Sequence, residues 1–119
     1  MGKWIGVDLD GTLAKHDGKP NSPIGKPLQP MLARVKQWIE DGKEVRIFTA
    51  RADSSLQRIM IGRWLEDNGL PQLAITNTKD WEMQELWDDR AIRVKHNEGD
   101  PCSGCGAASK FSHCYLADC

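Results

Sequence analysis

Along the chain, apolar positions switch between a strand-like and a helix-like period. Trp4-Ile5-Gly6-Val7 is a short apolar run with β-branched members and predicts a buried strand, which has to stop where Gly11 breaks the pattern. Residues 14–27, rich in Gly, Pro, Lys and Asn, have no period and predict an irregular loop or small flap. Leu28, Met31, Leu32, Val35, Trp38 and Ile39 then recur at helical spacing ahead of Gly42, a residue suited to a C-terminal cap. Glu44-Val45-Arg46-Ile47-Phe48 alternates as a strand and delivers Thr49 to its carboxyl end. Ser54 and Ser55 open a second helix, with Leu56, Ile59, Met60, Trp64 and Leu65 on its apolar face and Gly69-Leu70-Pro71 closing it. Three further short strands are predicted at Leu73-Ala74-Ile75, Leu86-Trp87 and Ile92-Arg93-Val94, with a turn of helix beginning near Asp80.

Strands alternating with helices predict an α/β fold, its parallel sheet covered on both faces and joined by right-handed crossovers. Ligands of such sheets bind beyond the carboxyl ends of the strands, where the polar residues of this chain collect. Asp8 and Asp10 flank Leu9 at the end of the first strand, and Gly11 lets the backbone turn there. Side chains two apart on an extended chain lean the same way, so this pair could hold Mg²⁺ while one member attacks an electrophile.

Val7-Asp8-Leu9-Asp10-Gly11-Thr12-Leu13 resembles motif I of the haloacid dehalogenase-like superfamily. Phe48-Thr49-Ala50-Arg51 resembles its motif II, Lys79 in Thr78-Lys79-Asp80 its motif III, and Leu86-Trp87-Asp88-Asp89-Arg90 its motif IV, all in the family's order across residues 3–95. The resemblance implies a three-layer Rossmann-like fold with a five-stranded parallel sheet of order 5-4-1-2-3. It also implies a Mg²⁺-dependent phosphatase acting through an aspartyl-phosphate. Asp8 would be the nucleophile, and Asp10 the general acid and base, a role that calls for a raised pKa such as a neighbouring carboxylate supplies. Thr49 would donate its hydroxyl to a phosphate oxygen, and Lys79 would set a cation against Asp8 and the phosphate. Mg²⁺ would take oxygens from Asp8, from Asp88 or Asp89, and from the main-chain carbonyl of Asp10. Arg51 would either contact a substrate phosphate or cover the second helix. The family's dehalogenases lack the second Asp and its transport ATPases carry Thr there, so Asp10 points to phosphatase chemistry, with phosphomutase open. Rival motifs fail: Leu13 and Lys19 stand where an EF-hand loop starting at Asp8 needs Gly and Glu, and there is no P-loop.

Cap insertions usual in the superfamily are missing, since the first gap holds only residues 14–27 and the second one helix and one strand. An open site is expected, one that takes a phosphorylated small molecule or a bulky substrate such as a polynucleotide end, or that is covered by another subunit of a homo-oligomer. A polynucleotide 3′-phosphatase or a nucleotidase is the alternative within this chemistry. The chain's 119 residues make one catalytic core, residues 1–99, followed by a Cys-rich tail, residues 100–119. A formal charge of −1, with both signs evenly mixed, offers no electrostatic footprint for nucleic acid or membrane. No apolar run approaches the ~18 residues of a membrane span, and the early first strand leaves no space for a signal peptide, so a cytoplasmic setting is expected. In a reducing setting Cys102, Cys105, Cys114 and Cys119 would act as thiolates closing a structural Zn²⁺ site, with His113 able to replace a late cysteine. Free thiols and disulfides are the other readings. A different class follows from the same tail: a non-catalytic binding module that docks through its zinc site.

Overall fold

The computed structural model describes residues 2–102, and the chain divides into two compact units at Asp88/Asp89. The first unit carries strands β1 (Trp4–Val7), β2 (Glu44–Phe48), β3 (Ala74–Thr76) and β4 (Met83–Trp87) and helices α1 (Gln29–Glu40) and α2 (Ser55–Asp67), with a 3₁₀ turn over Ala50–Asp53. All strand pairs are parallel, in the order β3-β2-β1-β4. The sheet of the described residues therefore has four strands and not the five expected. Ile92-Arg93-Val94 makes only an isolated antiparallel bridge, Val94 to Pro101, within the second unit. A parallel strand is normally buried on both faces. In this segment the apolar Ile92 and Val94 would share one face with Arg93 on the other, and both are about half exposed, at 47% and 52%.

Strand β1 is buried throughout, as its unbroken apolar run requires. Stepping from β1 to β2 and from β2 to β3 moves the same way across the sheet, so two right-handed crossovers put α1 and α2 on one face. There Met31, Leu32 and Val35 of α1 and Ile61 and Leu65 of α2 join Ile5, Val7, Val45 and Ile47 in a single core. Helix α1 starts without a side-chain cap, on Leu28 followed by Pro30, whose missing N–H costs nothing in a first turn. Helix α2 starts on Ser54, whose hydroxyl oxygen accepts the Gln57 N–H at 3.2 Å. The expected apolar face of α2 holds in part: Leu65 is buried and Trp64 packs against the core, but Leu56, Ile59 and Met60 are exposed, and Ile61, outside the expected face, is the other buried residue.

No helix covers the second face in the first unit. Trp4 is fully buried there, with the Arg46 guanidinium 4.4 Å above its ring. The segment from Thr76 to Met83 crosses this face, because it has to pass from one edge of the sheet to the other. Three inter-strand spacings are ~14 Å, and a similar distance lies back to the amino end of β4, about 20 Å in all. Six helical residues would span only ~9 Å, so this stretch has no helix, contrary to the turn expected near Asp80. Asp80 pins it: Trp4 Nε1 donates to Oδ1 at 2.9 Å, and Arg46 Nη1 lies 3.7 Å from Oδ2.

The Trp4 indole N–H, and after it the Glu82 backbone N–H and the Arg46 charge, hold the Asp80 carboxyl below its ordinary value of 3.8. A depressed folded-state pKa adds stability that is fully present above 3.8 and is lost as pH falls through the lowered value. The Trp4 indole N–H resonance should therefore shift and exchange faster below pH 3.8, and Asp80→Asn should remove that acid step. A step of unchanged size in the variant would assign it to another group.

In the second unit Lys95 N donates to Asp100 O at 2.9 Å, and Cys102 N to Arg93 O at 2.7 Å, closing a short hairpin. Cys102 is buried and disulfide-bonded. A sulfur held in a disulfide is not the free thiolate that the zinc reading asks of Cys102. Cys105, His113, Cys114 and Cys119 lie outside the described residues. The expected boundary after residue 99 falls within this second unit. No helix among the described residues is long and apolar enough to cross a membrane.

Candidate functional site

The carboxyl end of β1 is built by alternation. Leu9 is fully buried in the core, which turns its neighbours Asp8 and Asp10 away from it. Leu9 O accepts the backbone N–H groups of Thr12, Leu13 and Ala14 at 3.3, 3.0 and 2.8 Å, wrapping the chain into a tight turn. Gly11 sits in that turn at φ +88°, a conformation that a side chain would strain. Thr12 Oγ1 reaches back to donate to Asp8 Oδ2 at 3.3 Å.

Strand β4 supplies the second carboxylate. In its register Val7 faces Trp87, and Asp8 N donates to Trp87 O at 2.9 Å, so Asp88 begins where Asp8 does. Trp87 is anchored edge-on against Trp38 of α1, with ring centroids 5.2 Å apart. One carboxylate oxygen each from Asp8, Asp88 and Asp89 lie within 4.8 Å of one another. Asp8 and Asp88 are half-buried members of the first unit; Asp89, exposed, is joined to Asp88 by the peptide bond at which the second unit begins. Asp10 stands outside this trio.

Asp10 is bound instead by Arg51. Arg51 Nε donates to Asp10 Oδ2 at 2.7 Å and Nη2 to Oδ1 at 2.9 Å, a bidentate pair whose side chains are 10% and 22% exposed. The neighbour expected for Asp10 was another carboxylate; the structure puts a guanidinium there. Of the two roles expected of it, Arg51 has contact with the second helix, through Gln57 of α2, and the pairing with Asp10 comes in addition. Its remaining bonds run to Gln57 Oε1 of α2 at 2.8 Å and to the Ser22 carbonyl of the flap at 2.7 Å.

Thr49 ends β2 and is 3% exposed. Its hydroxyl oxygen accepts the Arg51 backbone N–H at 3.1 Å, and its hydroxyl hydrogen donates to no described residue. Its own N–H donates to Thr76 O at 2.9 Å, which ties the ends of β2 and β3 together. Lys79 is exposed on the strap between β3 and β4, precedes no helix and makes no ion pair among the described residues. No contact brings it to Asp8.

The flap is tied down rather than loose. Lys15 N donates to Lys26 O at 2.8 Å across its base, and Trp64 Nε1 of α2 donates to Gly25 O at 2.8 Å. A Cβ on Gly25 would collide with the Lys15 carbonyl oxygen, so the two strands of the flap base approach closely only with glycine there. At its tip Asp17 accepts the Lys19 N–H at 2.8 Å and the Ser22 hydroxyl at 2.9 Å, and those bonds, the backbone one first, hold its carboxyl below the usual range. A cavity of about 360 Å³ lined by Lys3, Ile5, Lys43, Glu44 and Gln84 opens at the amino ends of the strands. It lies at the end of the strands opposite the carboxylates and Thr49.

Two residues of this edge escaped the sequence reading: Thr12 as a donor to Asp8, and Arg51 as the partner of Asp10. The signal for Thr12 was its place in the same turn as Asp8. Nothing local could pair Arg51 with a residue so distant in the chain.

No protein-family profile matches the chain, and neither does any curated protein. Among solved structures it is similar to a conserved protein coded by a locus of Bacteroides thetaiotaomicron, at 19% identity and a TM-score of 0.59, over 74% of this chain and 76% of that one. At this identity the likeness shows a shared α/β fold.

Proposed function

We propose that the protein is a Mg²⁺-dependent phosphatase of the haloacid dehalogenase type that hydrolyses a phosphate monoester. The observation that carries this reading is the convergence of the Asp8 and Asp88 carboxylates, with Asp89 beside them, at the carboxyl end of a central parallel strand. Oxygen donors within 4.8 Å of one another suit a hard cation, because two oxygens on one Mg²⁺ sit ~3–4 Å apart. Asp8 and Asp88 would hold the ion, with Asp89 and the main-chain carbonyl of Asp10 as further donors; bound there, it would neutralise charge on the phosphate.

The chain's own groups then divide the work. An Asp8 oxygen attacks phosphorus, forming the aspartyl-phosphate as the bond from phosphorus to the leaving oxygen breaks, and Asp10 gives that oxygen its proton. Water next attacks phosphorus and gives a proton to Asp10 as the bond from phosphorus to the Asp8 oxygen breaks, which releases phosphate and restores the Asp8 carboxylate and the acid form of Asp10. The Thr49 hydroxyl hydrogen, uncommitted among the described residues, would donate to a phosphate oxygen. Lys79, exposed on the strap, is given no part. Whether the ester is a small molecule or a polynucleotide end is decided by the substrate panel below.

Phosphate release from p-nitrophenyl phosphate, nucleotides, sugar phosphates and 3′-phosphorylated oligonucleotides is the test. Turnover is expected with Mg²⁺, to fall at least about tenfold on chelation and to return when Mg²⁺ is restored. Folded protein that releases no phosphate from any member of the panel at saturating Mg²⁺ would overturn the reading.

A further inference from the structure

We propose that Arg51 is a positioning residue that aims the Asp10 carboxylate and latches the flap, residues 14–27, beside it. The aiming role rests on the phosphatase reading; the latch does not. One nearly buried guanidinium makes four hydrogen bonds to three different segments: two to Asp10 in the turn after β1, one to Ser22 O in the flap, one to Gln57 in α2. Its own backbone N–H is held by Thr49, so the base of the side chain is fixed to the end of β2. A planar fork bonded to both oxygens of a carboxylate stops the carboxylate from rotating, which a single-point cation such as lysine does not do.

The same nitrogen couples aim to access. Nη2 donates one hydrogen to Asp10 Oδ1 and the other to the Ser22 carbonyl, at 2.9 and 2.7 Å. Lifting the flap therefore loosens one of the two bonds that orient Asp10, and closing it restores the pair. The Ser22 end is itself stiff, because the Ser22 hydroxyl is bonded to both oxygens of Asp17. Asp10 is thus in its aimed position when the flap is down.

The experiment compares Arg51→Lys and Arg51→Ala with the wild type on two substrates with Mg²⁺ present, p-nitrophenyl phosphate and an alkyl phosphate. The nitrophenolate leaves with little need of a proton; the alkoxide needs one. If Arg51 aims the proton donor, kcat should fall ~100-fold on the alkyl ester and less than ~10-fold on the aryl ester, with KM nearly unchanged. Added guanidinium ion should restore part of the alkyl-ester rate to Arg51→Ala, which a merely structural role would not allow. Equal losses on both esters, or a loss confined to KM, would overturn the aiming role. Hydrogen exchange reads the latch without turnover: the Lys15 amide, bonded across the flap base, should exchange faster in both variants while the Ile47 amide in β2 does not. Unchanged exchange at Lys15 would overturn the latch. A wild type without turnover would overturn the phosphatase reading and the aiming role together, and exchange would still decide the latch.

Discussion

Asp8→Asn is expected to lower the proposed Mg²⁺-dependent phosphate release by at least ~10³-fold while leaving the folded protein intact. On the proposed mechanism the Asp8 oxygen forms the bond to phosphorus, and an amide in its place is a far poorer nucleophile; removal of a nucleophile elsewhere costs ~10⁶ in kcat, so the figure is a lower bound. The substitution also takes one charge from the group formed with Asp88 and Asp89 and weakens the hold on Mg²⁺. Asparagine keeps the shape and an acceptor for the Thr12 hydroxyl, so thermal unfolding should move little. Steady-state rates and a melting curve on the same preparation check both halves. A variant that retains a tenth or more of wild-type turnover would remove Asp8 from the nucleophile's place.

Leu9→Ala is expected to give the largest loss of stability at this edge, ~3–4 kcal/mol, read from denaturant unfolding. Leu9 is fully buried between the two acids, its side chain in the core with Val7, Leu13, Ile47 and Ile61. Truncation removes buried methyl groups and leaves a cavity in a strand end that has little freedom to collapse, because Leu9 O holds three backbone N–H groups. Against a typical total of ~5–15 kcal/mol this is a large share. Leu56→Ala, on the exposed side of α2, should cost within about 0.5 kcal/mol by contrast, since that side chain is 64% exposed. If the two variants lost the same stability, the assignment of inner and outer faces here would be mistaken.

The elements legible in the sequence were those with one clear period or one clear cap. β1, α1 and β2 follow from the apolar run at Trp4–Val7, the helical spacing from Leu28 to Ile39 and the alternation from Glu44 to Phe48. α2 was legible as a helix, but only Trp64 and Leu65 of its expected face pack on the core, because it carries apolar side chains most of the way round and a period alone does not choose among them. Ile92-Arg93-Val94 was read as a strand from its β-branched residues, yet strand propensity forms no sheet where both apolar side chains stay half in water. Lys79 was set before a helix, but the six residues between β3 and β4 are too few to cross the sheet in helical form.

By itself the sequence determined what neighbouring residues dictate. Asp8 and Asp10 stand at a strand end because Leu9 between them must be buried and Gly11 can turn, and Thr49 closes β2 because alternation carries it there. Tertiary structure alone decided which distant groups those residues meet. β4 lies against β1, so Asp88 joins Asp8; the turn after β2 faces the turn after β1, so Arg51 takes Asp10. The physical reason is that strand order and ion pairing are set by burial of the whole core and by the hand of the crossovers. Those forces act between segments far apart in the chain, and no local period records them.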